Sequence, residues 1–155
     1  MVCWKQLVNS VLLSSPSKHM MRSTEKLNLT AVLKLPSSPL GRGFLTGTIK
    51  SPDDFDPSDF RRHNPRFLPE NFAVNIELVN KISELAAKKG VTPSQFTLAW
   101  VLSRGDDFFI IPGTKRLKYL EENLKAGDIT LTAEEKEEMQ NIVNSVRILG
   151  DRYGS

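Results

Sequence analysis

The chain has 155 residues, 39% of them apolar and 25% charged, with a formal net charge of +3. That length supports one ordinary domain with a sizeable core. The small charge, with no basic stripe interleaved with aromatics, argues against a nucleic-acid surface. One cysteine and two widely spaced histidines rule out an internal disulfide framework and give no metal site.

Residues 1–37 show no sustained periodicity and read as a divergent N-terminal segment. Residues 1–24 carry Lys5, Lys18 and Arg22 and no acidic residue, with an apolar patch from Leu7 to Leu13 interrupted by Asn9 and Ser10. That makes a poor secretory signal, and no run approaches the roughly 18 apolar residues that span a bilayer. The expected setting is the cytosol, with no membrane partner and with Cys3 a free thiol. Residues 38–71, rich in Gly, Pro and Asp, read as a long loop of the kind that carries function.

The remainder is regular. Leu78, Val79, Ile82, Leu85 and Ala86 form an apolar stripe that predicts a helix over about 72–89, with Gly90 as its stop. Thr92-Pro93-Ser94-Gln95 is a capping box with proline at the first helical position, opening a helix through Phe96, Ala99 and Trp100. Phe108 to Ile111 reads as a short buried strand. A helix follows with Leu117, Leu120 and Leu124 on its core face. Thr132-Ala133-Glu134-Glu135 is a second capping box, opening a helix with Met139, Ile142, Val143 and Val146 inward.

The junction between that strand and the next helix carries the chemistry. Ile111-Pro112-Gly113-Thr114-Lys115-Arg116 turns through Pro-Gly into a helix start, where free N–H groups and the helix dipole favour an anion. Gly113 allows close backbone approach, Thr114 offers an N-cap hydroxyl, and Lys115 and Arg116 add the charge a 2′-phosphate requires. Upstream, Gly41-Arg42-Gly43 invites a dinucleotide-binding Rossmann reading. Its third glycine is Gly47, one position too late for G-x-G-x-x-G, and no helix pattern follows, so that reading fails.

Ser38-Pro39-Leu40-Gly41-Arg42-Gly43-Phe44-Leu45-Thr46-Gly47 and Ile111-Pro112-Gly113-Thr114-Lys115, continuing to Leu120-Glu121-Glu122-Asn123, closely resemble passages of the aldo-keto reductases. The text from Asp59 to Phe67, from Gly90 to Trp100 and from Gly150 to Tyr153 resembles the same family in the same order, so the likeness runs from Ser38 to Tyr153. It implies an α/β fold, the C-terminal portion of a (β/α)8 barrel: about strands seven and eight with their helices, in residues 38–155. Glu25 to Val32 looks like a worn version of the family's preceding helix end. Lys34-Leu35-Pro36-Ser37 then stand where the family has an apolar strand, and Pro36 is unwelcome in a central strand, so the seventh strand reads as damaged.

The resemblance implies NADP(H) as cofactor. Ser38, Pro39, Leu40, Gly41 and Arg42 would lie along the ribose and pyrophosphate. Gly113, Thr114 and Lys115 would form the 2′-phosphate pocket, with Glu122 and Asn123 near the adenine. Tyr119 replaces a basic residue common in the family, leaving Lys115 and Arg116 to meet the phosphate. Ser37 replaces the family's nicotinamide-stacking tyrosine. The family's catalytic Asp, Tyr, Lys and His match nothing in this chain; His63 belongs to the long loop and reads as a surface residue, and Asp53, Asp54 and Asp56 as a solvated acidic loop. The expectation is a truncated reductase that retains part of a cofactor site and has no catalytic residues. The alternative is a non-enzymatic interaction module, associating with itself or with an intact reductase through the apolar faces an incomplete barrel would expose.

Overall fold

A computed structural model describes residues 34–36 and 38–151. Four α-helices carry the architecture of these residues: α1 (Pro69–Lys89), α2 (Pro93–Leu102), α3 (Leu117–Lys125) and α4 (Ala133–Ser145). α1 begins three residues earlier than its apolar stripe suggests, because Pro69 at its first position has its φ preset for the helix. It ends at Gly90, whose φ of 75° permits Val91 N–H to reach back to Ala86 C=O at 3.1 Å. Both capping boxes form: Thr92 Oγ1 accepts from Gln95 N–H, and Thr132 Oγ1 from Glu135 N–H, each at 3.2 Å.

α1 packs against α2 and α4, and Phe72, Leu78, Val79, Ile82, Leu85, Phe96, Ala99, Trp100 and Met139 form the centre of the core. Lys88 and Lys89 of α1 reach Glu138 and Glu135 of α4 at 3.1 and 2.9 Å. The first pair is exposed and orients the helices more than it stabilises them, whereas the second is half-buried. No helix of the described residues is long and apolar enough to cross a membrane.

The segment expected as a long loop is built from short 3-10 turns at Gly41–Thr46, Pro52–Asp54, Phe60–His63 and Pro65–Phe67. It buries Phe44, Leu45, Ile49, Phe55 and Phe67. Phe44 meets Phe67 and Phe72 edge-on, with ring centroids 5.6 and 5.3 Å apart, and Phe55 meets Phe67 at 5.2 Å. This aromatic chain fastens the segment to α1.

Three local expectations need correction. Phe108 to Ile111 is not a buried strand: Phe108 is buried, Phe109 is 47% exposed and Ile111 64%. Between described residues, a parallel bridge joins Phe108 to Lys34, through Lys34 N–H to Asp107 C=O at 2.8 Å and Phe109 N–H to Lys34 C=O at 2.9 Å. A parallel strand stays buried only with neighbours covering both faces, and Phe109 and Ile111 are not so covered by the described residues. The same bridge shows that Lys34, placed in the damaged strand, still pairs; its ammonium meets Asp107 at 2.9 Å.

The stripe of α3 is not a core face either. Leu117, Leu120 and Leu124 are 70%, 44% and 68% exposed, and the helix buries Asn123 instead. Apolar periodicity marks a face suited to burial without supplying its partner. Finally, Thr114 does not cap α3. The cap position is Arg116, without a side-chain bond, and Thr114 Oγ1 accepts from Arg116 N–H at 3.2 Å, closing a turn one step ahead of the helix.

Candidate functional site

Three stretches, the first about sixty residues before the other two, converge on a cleft of about 510 Å³. One wall is the turn from Ser38 to Gly43, continuing to Thr46, Thr48 and Ile49. The second is Ile111 to Thr114, and the third is the inner side of α3 through Tyr119, Glu122 and Asn123, with Arg61 and Ser94 between. The structure thus brings together Ser38, Pro39, Leu40, Arg42, Gly113, Thr114, Glu122 and Asn123 of the sequence-derived set. Gly41 faces away, toward Phe44 and Leu45, and Lys115 stands exposed on the turn outside the lining.

The first wall is conformationally unusual. Ser38, Gly41, Arg42 and Gly43 have φ of 57°, 59°, 60° and 91°. The left-handed region costs an L-residue roughly 1–2 kcal/mol, so Arg42 needs external support. Arg61 supplies it, donating from Nη1 to the Arg42 carbonyl at 2.9 Å. The Arg61 guanidinium is itself fixed: Nε and Nη2 fork onto the Asp59 carboxylate, Nη2 at 2.6 Å, and the group lies 4.6 Å from the Phe55 ring centre. Gly43 serves space as well as conformation, since a Cβ there would come within 3.3 Å of Arg61 Nη1. At Gly113 the reverse holds: its φ is ordinary and an added Cβ would meet nothing within 4 Å. Neither backbone nor packing requires glycine there.

Sequence reasoning missed Arg61 as a site residue, although Asp59-Phe60-Arg61 carries a readable signal. Asp59 Oδ1 accepts from Arg61 N–H at 2.9 Å and caps the short turn Phe60–His63, which leaves the Arg61 side chain beside its own carboxylate partner. Tyr119 was noticed only as a substitution; it lines the cleft, with the Arg116 guanidinium 5.9 Å from its ring centre. His63 is exposed. The acidic loop is occupied by turn bonds: Asp54 accepts from Lys50 and Ser51 N–H at 2.7 and 2.9 Å, and Asp56 accepts from Ser58 N–H and Oγ at 2.9 and 2.6 Å. Ser37 and Tyr153 lie outside the described residues.

Hydrogen bonding from the Arg61 side chain holds the Asp59 carboxyl below its ordinary value of 3.8. A depressed carboxylate contributes stability that is fully present above the unfolded value and is lost as pH falls through the lower folded one. Stability measured by urea unfolding is therefore expected to decline as pH drops below about 3.8, and Asp59→Asn to make that decline shallower. An unchanged acid limb in Asp59→Asn would contradict the pairing.

The aldo/keto reductase family model matches residues 5–144. The match thus extends into the segment ahead of Ser38. The chain is 45% identical over 144 residues to the aldo-keto reductase yakc of Schizosaccharomyces pombe, whose name specifies NADP(+), covering 93% of this chain and 42% of that protein. It is 44% identical over 140 residues to the aldo-keto reductase str7 of Strobilurus tenacellus, covering 90% of this chain and 41% of the relative. Among solved structures it resembles the glycerol dehydrogenase AKR11B4 of Gluconobacter oxydans, with a TM-score of 0.63 and 27% identity over 72% of this chain and 34% of that one. The chain therefore spans about two fifths of the length of these curated relatives. With 45% identity across nearly its whole length and a family match from residue 5 to 144, the chain belongs to the aldo/keto reductase family.

Proposed function

We propose that the cleft is the phosphate-and-adenosine part of an NADP(H) site, and that the described residues form the last two βα units of a (β/α)8 barrel. The observation that carries this reading is the convergence of the Ser38–Gly43 turn, the Ile111–Thr114 turn and the α3 wall on one cavity. The residues fit the ligand. Gly113 leaves open space that a side chain would fill, hydroxyls of Thr46, Thr48 and Thr114 line the walls, and Arg42 contributes a cation. A volume of about 510 Å³ lies in the range of small-molecule sites.

When bound, the nicotinamide group supplies hydride. This chain's part is to bind and orient: the left-handed turn presents its backbone, and Lys115 and Arg116 set a positive potential at the mouth beside Tyr119. A carbonyl acceptor also needs a proton donor with a tuned pKa. Of the ion pairs among the described residues, only Asp59–Arg61 contributes a cleft-lining residue, and it contains no lysine. The reading for the described residues is therefore cofactor binding and orientation. Lys115→Glu reverses a charge near the expected 2′-phosphate and should weaken NADPH binding about tenfold while leaving NADH within about twofold. Isothermal titration with both nucleotides checks this; equal losses for the two would place the phosphate elsewhere.

A second reading has its own observation. Leu117, Leu120 and Leu124 form an exposed apolar row on α3 and Phe109 ahead of it is exposed too, as expected of a surface for a second copy or for an intact reductase. It predicts a mass above the monomer in sedimentation, reduced to monomer by Leu120→Glu. A wild-type chain that sediments as a monomer, alone and with an intact homologue, would remove this reading.

A further inference from the structure

Glu122 is held in the cleft wall by residues that do not line the cleft. Thr92 Oγ1 donates to Glu122 Oε1 at 2.6 Å, and Gln95 Nε2 donates to the Glu122 carbonyl at 3.3 Å. The same two side chains form the capping box of α2, with Thr92 N–H donating to Gln95 Oε1 at 3.1 Å. One cap thus does two jobs, ending the free N–H groups of α2 and gripping α3.

The grip matters because α3 has few other anchors. It is nine residues long, it buries only Asn123, and its leucines face outward. The second capping box in the chain shows what is particular about the first. On α4 the third helical residue is Glu135, whose carboxylate accepts from Thr132 N–H at 2.8 Å and pairs with Lys89 at 2.9 Å. On α2 the corresponding residue is the neutral Gln95, whose amide accepts from the cap with its oxygen and has an N–H left to donate to Glu122. A carboxylate in that place would close the same box and repel Glu122.

We propose that Thr92 and Gln95 are positioning residues for the cleft, setting ligand affinity by fixing Glu122 and with it the α3 wall. The proposal rests on the reading of the cleft as a nicotinamide-nucleotide site. Gln95→Glu tests it, because glutamate preserves the capping box and puts a repelling carboxylate oxygen in place of the donor to α3. The measurements are NADPH affinity by titration and amide hydrogen exchange of residues 117–125 in the ligand-free protein. Gln95→Glu should weaken NADPH binding roughly fivefold and speed exchange across α3, with its unfolding midpoint close to wild type. Thr92→Ser, which keeps the hydroxyl, should match wild type in both. Thr132→Val, which damages a cap remote from the cleft, should lose stability with affinity unchanged. Wild-type binding with unaltered affinity and α3 exchange in Gln95→Glu would overturn the inference alone. A wild-type chain that does not bind NADPH would overturn the reading of the cleft and this inference with it.

Discussion

Asn75→Ala is expected to lower the unfolding free energy by about 3 kcal/mol. Asn75 is 1% exposed, on the inner face of α1. Its Nδ2 donates to the carbonyls of Arg66 at 3.1 Å and Leu149 at 2.9 Å, and its Oδ1 accepts from Leu149 N–H at 2.8 Å. Alanine strands three partly buried backbone groups, each costing about 1–3 kcal/mol before relaxation. Relaxation is restricted, since Gly150 at φ 81° lies so near Pro65 that an added Cβ would be 2.7 Å from its carbonyl carbon. Asn75 thus ties the C-terminal stretch to the Pro65–Phe67 turn, which carries the aromatic contact to Phe44 and so supports the cleft's first wall. Urea unfolding measures the loss, and a change under about 1 kcal/mol would show that the three bonds are not limiting.

Arg61→Met is expected to weaken NADPH binding at least about tenfold, with a stability loss of about 1–2 kcal/mol. Methionine keeps an apolar stem of similar length and loses the guanidinium over Phe55, the fork to Asp59 and the bond to the Arg42 carbonyl. The Arg42 turn then loses the tie that holds it at φ 60°. Arg61→Lys should recover little, because one ammonium cannot hold a carboxylate bidentately and reach a carbonyl as well. Unchanged affinity in Arg61→Met would mean that the first wall does not depend on this latch.

What the sequence made legible was local. The two capping boxes and the Gly90 stop place helix ends within a residue because their bonds close over three to five positions. Family motifs carried the site further, since eight of the residues they implied share one cleft despite a separation of some seventy residues along the chain. What depended on distant partners was not legible. The leucine row of α3 and the run Phe108–Ile111 state a need for burial, and only the fold shows that among the described residues it is met at Phe108 and not at Phe109, Ile111 or the leucines. Arg61 was hidden for a related reason: Asp59 is two positions away, whereas the Arg42 carbonyl it supports is nineteen positions away. Thr114 shows the converse error, a sound capping residue used for a turn because α3 starts only at Leu117.

The measurement that bears most directly on the cofactor reading is a thermal melt of the whole chain, alone and with millimolar NADPH or NADH. Binding to the native state adds RT ln(1 + [L]/Kd), about 2.7 kcal/mol when the ligand is at 100 times Kd. The account predicts a cooperative transition that moves upward with NADPH, moves less with NADH, and loses the difference in Lys115→Glu. A cooperative transition that neither nucleotide moves would contradict it.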